Sequence, residues 1–195
     1  MSPITHFLAG WAIASAAPLN LKDRALITIA GIVPDIDGLG ILVDFATHFS
    51  SAPTDFWGRF HHVLAHTLTF GIVFTLIAGA LATRKTLCVL LVLASFHLHL
   101  VCDVMGARGP DGYQWPIPYF NPFSSHPQWT WSGQWALNSW QNLLLTFGLI
   151  LWTGRVAIQK GISPLIFFSR KADHIFVTTL RQRFGGARKS SNREV

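Results

Sequence analysis

Residues 67–102 read TLTFGIVFTLIAGALATRKTLCVLLVLASFHLHLVC and contain two long apolar runs. The short basic turn Thr83-Arg84-Lys85 divides them into residues 67–82 and residues 86–102. Each run would form a helix of roughly 25 Å, which is at the lower limit for crossing the hydrocarbon core of a bilayer. A third apolar run covers residues 142–158. The chain is therefore expected to form a bundle of apolar helices.

The composition favours a membrane protein over a soluble helical bundle, which could also use buried helices of this length. Half of the 195 residues are hydrophobic, only 12% are charged, and the mean hydropathy is +0.38. A soluble domain carries about 25% charged residues, so this chain has about half of the usual charge. These values exclude a disordered chain and argue against an ordinary soluble enzyme.

The positive charge is concentrated in the C-terminal quarter of the chain. Nine of the fifteen Lys and Arg residues follow position 149, where only two acidic residues occur. A basic tail behind an apolar body is typical of a cytoplasmic membrane flank and not of a nucleic-acid-binding protein. We expect a membrane-embedded domain over residues 1–158, a basic amphipathic helix on membrane lipid over residues 159–184, and a disordered tail over residues 185–195.

The segment of residues 104–141 differs from the apolar runs on either side. It contains five prolines and five of the eight tryptophans. Indole rings settle at the membrane–water interface, so this segment is predicted to be an interfacial loop; a loop capping a soluble core is the alternative. The predicted fold class is all-α: a polytopic helical membrane bundle with a Trp/Pro-rich interfacial loop and a basic amphipathic C-terminal helix.

Several histidines and aspartates lie at the positions where the apolar runs of the sequence begin or end. Two antiparallel hairpins, with basic turns at residues 22–24 and 84–85, would bring four polar clusters to one end of the bundle and both turns to the other end. The converging set consists of four histidines and three aspartates: His6, Asp35, Asp37, His61, His66, His99 and Asp103. His99 and Asp103 are four residues apart, so they share one face of a helix.

This set predicts a metal centre. Seven nitrogen and oxygen ligands exceed the roughly four that one tetrahedral zinc ion takes, and they suit two divalent metal ions with open positions for water and substrate. Ligation without thiolate permits zinc, the first expectation, as well as manganese or iron. Histidines 48, 97, 126 and 174 are instead expected to have structural roles.

Two other functions use the same residues. The His/Asp cluster could form the pathway of a metal-ion or proton transporter, although transport sites usually lie near the bilayer midplane and not at helix ends. His99 and Asp103 alone could form a proton relay or a structural hydrogen bond. A membrane adaptor with a purely structural metal and a partner-binding tail is a third possibility.

The chain resembles a family of bacterial inner-membrane proteins described as membrane-bound, metal-dependent hydrolases of the LexA-regulated, YdjM-like type. The likeness covers roughly residues 3 to 155. It is carried by Thr5-His6-Phe7-Leu8-Ala9-Gly10, Pro34-Asp35-Ile36-Asp37, the pair His61 and His66, the pair His99 and Asp103, and Asn121-Pro122-Phe123-Ser124. The resemblance implies hydrolysis, metal binding at the seven residues above, and a distant similarity to zinc-dependent phospholipases C.

One stretch departs from the family pattern. Relatives commonly read His-Arg-Gly-x-Thr-His where residues 61–66 of this chain read HHVLAH, so His62 stands where an arginine could hold a phosphate. We therefore do not transfer a phosphate-anchoring role to this position.

The resulting hypothesis is a multi-pass enzyme of the bacterial inner membrane that hydrolyses a lipid-linked or phosphoester substrate. Asp37 is the expected general base. Arg59 and Arg108 flank the cluster and are expected to bind an anionic head group. The basic turns and the C-terminal tail share one side of the membrane, and an excess of Lys and Arg marks the cytoplasmic side. The C-terminus is thus expected in the cytoplasm, with the metal centre facing the periplasm.

Overall fold

The structure, a computed structural model, describes residues 1–185, and all of the regular secondary structure in this part of the chain is helical. The helices are α1 (Pro3–Ser15), α2 (Leu21–Ala30), α3 (Gly40–Thr47), α4 (Phe56–Phe60), α5 (Leu68–Leu81), α6 (Lys85–Gly106), α7 (Trp140–Lys160) and α8 (Arg170–Phe184). Two 3₁₀ segments, Val33–Leu39 and Pro164–Phe167, precede α3 and α8. The predicted disordered tail lies outside the described residues from position 186 onward.

Two of the helices begin at hydroxyl caps beside the predicted cluster. The Ser2 hydroxyl accepts a hydrogen bond from the Thr5 N–H at 3.3 Å, and α1 begins with a proline, whose missing N–H needs no partner there. The Thr67 hydroxyl accepts one from the Phe70 N–H at 3.2 Å at the start of α5. Both helices therefore start next to a histidine of the cluster.

Helix α6 lies at the centre of the bundle and packs against α1, α2 and α5, while α7 packs against α1. The buried core between α1, α2, α5 and α6 consists of small and medium side chains: Ala14, Ile27, Ala30, Ala78, Cys88 and Val92. The N-terminal helices pack closely, since a Cβ atom at Gly10 would lie 2.7 Å from the carbonyl oxygen of Thr28. The N-terminal hairpin is thus packed against the long central helix.

A second core ties the loop between α6 and α7 to the bundle. Phe96 and Leu100 of α6 are fully buried against Ile117 and Tyr119 of the loop. The loop is held further by paired backbone hydrogen bonds between Ile117 and Trp129. The Trp/Pro-rich segment therefore covers the same end of the bundle as the polar cluster.

The basic turns lie together at the other end, as the hairpin argument predicts. The buried carboxylate of Asp23 accepts hydrogen bonds from the backbone N–H groups of Thr83 at 2.8 Å and Arg84 at 2.9 Å. The Lys160 ammonium, at the end of α7, donates to the Ser15 carbonyl at the end of α1. The turns of both hairpins and the end of α7 therefore meet.

The structure confirms a helical membrane protein. Helices α6 and α7 are long and apolar enough to cross a bilayer, and α2 with residues 33–47, bent by 53°, gives a third candidate span. Helix α5 has 14 residues, or about 21 Å, and is shorter than its apolar run because Thr67 caps it and the extended Ala82 ends it. Residues 1–185 thus contain two or three candidate spans.

The C-terminal helix begins later than the predicted start at residue 159 and follows the pair Ser163-Pro164. That pair opens the short 3₁₀ segment, and α8 starts at Arg170 after a second serine cap. Asp173 of α8 accepts hydrogen bonds from the Ser163 N–H at 2.7 Å and the Ser163 hydroxyl at 2.6 Å, which folds α8 back against α7. Since α7 runs to Lys160, the domain boundary at residue 158 falls within a helix and stays a prediction.

Candidate metal centre

The seven predicted residues lie at one end of the bundle. His6 is in the first turn of α1, Asp35 and Asp37 are in the first 3₁₀ segment, His61 and His66 are in the connection from α4 to α5, and His99 and Asp103 are in the last two turns of α6. Two groups have ligand atoms within 4.8 Å of one another and could hold a metal ion: His6, Asp35, His99 and Asp103 form the first, and His62, His66 and Asp103 form the second. Asp103 belongs to both groups.

The ring of His99 is fixed in a state that can bind a metal ion. Its Nδ1 lies 2.9 Å from the carbonyl oxygen of Gly31, which can only accept, so Nδ1 carries the hydrogen. The lone pair of the neutral ring is then on Nε2, which lies 3.0 Å from Oδ2 of Asp103. A backbone carbonyl that orients a histidine in this way is a common partner of metal ligands.

His66 is held in the same manner by Asp37. Its Nδ1 donates to Oδ2 of Asp37 at 3.0 Å, which leaves the lone pair of the neutral ring on Nε2. That atom lies 3.1 Å from Nε2 of His99, and both rings are fully buried. Two lone pairs at this distance repel each other unless a proton or a metal cation lies with them. The pair therefore requires positive charge.

Asp103 supplies the negative charge of the centre. Its Oδ1 accepts a hydrogen bond from Nε2 of His6 at 3.0 Å and contacts the amino group of Met1. Its Oδ2 lies 3.4 Å from Nε2 of His66 and 3.8 Å from Nε2 of His62. The carboxylate is 2% exposed, and nitrogen atoms lie next to both of its oxygens. Asp103 could therefore contribute to either of the two groups.

Several buried polar atoms of the cluster have no hydrogen-bond partner within the described residues. They are Nδ1 of His6, Oδ2 of Asp35 and Oδ2 of Asp103. An unpartnered buried acceptor is costly, and groups of this kind indicate a missing water molecule or ion. The donor set of imidazole nitrogen and carboxylate oxygen fits zinc, manganese or iron.

The protonation of His62 and His66, in the connection from α4 to α5, follows their surroundings. Burial disfavours the charged ring of His66, but the hydrogen bonds and charges of Asp103 and Asp37 outweigh burial and raise its pKa to about 9. Burial lowers the pKa of His62 to about 3, and the charge of His66 acts in the same direction. Without metal, the cluster therefore holds a proton at His66 and keeps His62 neutral.

Asp37 contacts two histidines of the cluster, and its predicted roles as a ligand and general base stay predictions. Its Oδ1 accepts a hydrogen bond from Nδ1 of His61 at 3.0 Å, and its Oδ2 accepts from His66 and from the Ala65 N–H at 3.1 Å. Both oxygens are occupied, and Asp37 is in neither group that could hold a metal ion. It orients two histidines.

His61 is also outside both groups. Its ring stacks on Trp57 with the ring centres 4.0 Å apart and lines a cavity of about 330 Å³ next to the cluster. Since Nδ1 donates to Asp37, Nε2 is the nitrogen that can accept a proton. The geometry suits proton transfer better than the predicted metal ligation.

The cavity has mostly aromatic and apolar walls with the cluster at one side. The aromatic and apolar part of the wall includes Trp57, Trp115, Leu39 and Leu137. The polar side is formed by residues of the cluster: Asp35, His61, His62 and Asp103. Neither predicted arginine lines it. Arg59 borders a separate depression with residues 53–56, and the backbone of Arg108 pairs with residues 135–137. The predicted role of the two arginines in binding a head group stays a prediction.

His62 is the residue that the sequence analysis missed as a candidate ligand. It is 4% exposed and has a positive φ of 65°, which turns its ring towards Asp103. Its place between His61 and His66 was the available signal, but linear spacing does not reveal a left-handed backbone.

The fold and the site define a helical membrane protein with a buried His/Asp cluster that could hold a metal ion. A family model described as YdjM inner membrane protein matches residues 1–176, so the chain belongs to this family. No curated protein matches the chain, and no solved structure matches it.

Proposed function

We propose that the chain is a membrane-bound, metal-dependent hydrolase with its metal centre at the His/Asp cluster. The observation that supports this proposal is the buried pair of Nε2 atoms of His66 and His99, 3.1 Å apart and next to Asp103. Neutral imidazole and carboxylate around an open cavity form a typical donor set for hydrolytic metal centres. Two divalent ions, zinc first and manganese or iron as alternatives, account for the two groups.

A bound divalent ion supplies Lewis acidity, which activates a water molecule and polarises the bond to be cleaved. The residues of the chain supply position and proton transfer. His6, His66 and His99 are held by hydrogen bonds to Asp103, to Asp37 and to the Gly31 carbonyl oxygen, respectively. His61, oriented by Asp37 and lining the cavity, is the general base, which replaces Asp37 in the mechanism expected from sequence.

The cavity favours a substrate with a small polar head and an apolar body. Its walls are largely aromatic and apolar, and Leu39, which lines it, is 56% exposed at the start of an apolar surface that continues along α3. No lysine or arginine of residues 1–185 lines this cavity, so a phosphoester would be bound by the metal ions themselves. We therefore take a lipid-linked phosphoester as the substrate class.

The chain is placed in the bacterial inner membrane with several passes. The basic turns lie at the end opposite the metal centre, and positive residues favour the cytoplasmic side. The C-terminus would then be cytoplasmic and the centre periplasmic. Fusion of an alkaline phosphatase reporter at the C-terminus should give no activity, whereas an active fusion would reverse this orientation.

The function is tested with purified protein in mild detergent, loaded with Zn²⁺ or Mn²⁺. Nitrophenyl phosphate esters and phospholipids serve as substrates. We expect hydrolysis that EDTA abolishes and added metal restores, and that Asp35→Ala/Asp103→Ala lacks. The variant His97→Gln is a suitable control, because His97 bonds only to Leu93 and Tyr119 in the described chain. Full activity in the double variant would contradict the proposal.

A further inference from the structure

We infer that His62 is a ligand of the second metal ion, together with His66 and Asp103. This inference rests on the proposed function, because it assumes that the cluster binds metal. It adds a residue outside the seven predicted from sequence. Three features of His62 carry it: the state of its ring, its distances to the other two residues, and its backbone conformation.

The ring of His62 presents a lone pair to the cluster. Its Nδ1 lies 3.3 Å from the carbonyl oxygen of Trp115, which can only accept a hydrogen bond. The neutral ring therefore carries its hydrogen on Nδ1 and its lone pair on Nε2. The Nε2 atom is the one that approaches Asp103, at 3.8 Å from Oδ2. His99 is held by a backbone carbonyl in the same way.

The spacing fits a single metal ion. Two ligand atoms that are each about 2.0–2.1 Å from a tetrahedral zinc ion lie about 3.4 Å apart. Oδ2 of Asp103 lies 3.4 Å from Nε2 of His66 and 3.8 Å from Nε2 of His62. The rings of His62 and His66 have their centres 4.3 Å apart at an angle of 38°. A shift of a few tenths of an ångström would bring all three atoms to one ion.

The backbone at His62 has an uncommon conformation that serves this orientation. His62 has a φ of 65° and Trp115 a φ of 46°, and they are the two non-glycine residues with positive φ in residues 1–185. The two are joined by the hydrogen bond above. Positive φ is unfavourable for a residue with a Cβ atom and is often found at functional sites. Here both unusual residues act on the placement of one imidazole.

The second ion completes the account of the cluster. The first ion needs only the four residues of its group, His6, Asp35, His99 and Asp103. Nε2 of His66 then has no metal to bind unless a second ion is present. His62 supplies the other nitrogen of that second site. Asp103 bridges the two ions, and the side of the second site next to Trp115 borders the cavity.

The test is a titration of metal-free protein with Co²⁺ in detergent, followed by the visible absorption of bound cobalt and checked with Zn²⁺ by elemental analysis. His62→Asn is the main variant, because asparagine tolerates a positive φ and is a poor zinc ligand. His62→Gln provides a second variant, and His97→Gln is the matched control. Far-UV circular dichroism checks the helical content, and whichever His62 variant retains it is used.

We expect about two Co²⁺ per chain in the wild type and in His97→Gln, and one in the His62 variant. The affinity of the second site should fall at least about 100-fold, since the loss of an outer partner alone costs 10- to 100-fold. Two ions with unchanged affinity in the His62 variant would overturn the inference, as would a wild type that binds one ion, and both results leave the proposed function standing. A wild type that binds none would overturn both.

Discussion

His66 and His99 face each other through Nε2 atoms 3.1 Å apart, while each Nδ1 donates to an oxygen on the outer side. The two histidines come from the two arms of one hairpin, since His66 precedes α5 and His99 lies in α6, and the contact is fully buried. The outer hydrogen bonds determine which nitrogen faces inward. If the cluster binds metal as proposed, binding would therefore depend on residues that are not themselves ligands.

Asp37→Asn tests this dependence. The substitution removes the charge that holds Nδ1 of His66 and of His61, and it leaves the ligand atoms themselves in place. The affinity for Zn²⁺ should fall about 10- to 100-fold, as is typical when an outer partner is lost. Competition with a chelating indicator measures the affinity. Asp111→Asn, at an exposed position, should bind as the wild type does, and equal affinities for the two variants would contradict the orienting role.

His61→Gln separates proton transfer from metal binding. Because His61 lies outside both ligand groups, the variant should keep its full metal content. Its rate of hydrolysis should fall about 10²- to 10⁴-fold, the usual contribution of a general base. The measurement pairs elemental analysis with kcat on the phosphoester that the wild type hydrolyses. A variant that loses metal would show His61 to be a ligand, as the sequence predicted.

Asp23→Ala should weaken the fold without affecting the centre. The carboxylate accepts two backbone N–H groups of the turn between α5 and α6, at the end of the bundle away from the cluster. Losing two hydrogen bonds from partly buried N–H groups to a buried carboxylate should lower the free energy of unfolding by about 1–2 kcal/mol. Thermal unfolding in detergent measures the loss. Unchanged stability would show that Asp23 does not stabilise the fold. Loss of bound metal would show that this end of the bundle affects the cluster.

Deletion of residues 162–195 distinguishes a catalytic body from an adaptor. Every candidate ligand lies between positions 6 and 103, and α8 packs on the end of α7 instead of on the cluster. Metal content and hydrolysis should therefore survive the deletion. If the wild type shows no hydrolysis and the deletion abolishes the binding of a partner protein, the adaptor hypothesis is favoured.

The convergence of the cluster could be predicted from sequence because it follows from chain geometry. Once the helices and their turns are placed, antiparallel hairpins must return His99 and Asp103 to the end where His6 begins. Apolar run length also predicted α6 and α7 as candidate spans. These features depend on periodicity and composition, which a linear pattern records.

The roles within the cluster depended on details that a linear pattern does not record. The difference between Asp35, which joins a ligand group, and Asp37, which orients histidines, arises from the local 3₁₀ turn. The inward turn of His62 arises from its positive φ. Arg59 and Arg108 flank the cluster in sequence order, but neither is among the residues that line the cavity. Such distinctions require side-chain directions.

The metal content of the purified wild-type protein decides whether the His/Asp cluster is a metal centre. Untagged protein in mild detergent is analysed for Zn, Mn and Fe beside His99→Ala/Asp103→Ala, which removes residues from both ligand groups. The account predicts about two metal ions per chain in the wild type and none in the variant. A folded wild type that stays metal-free after incubation with these metals would contradict it, and the cluster would then be a proton pathway or a polar core.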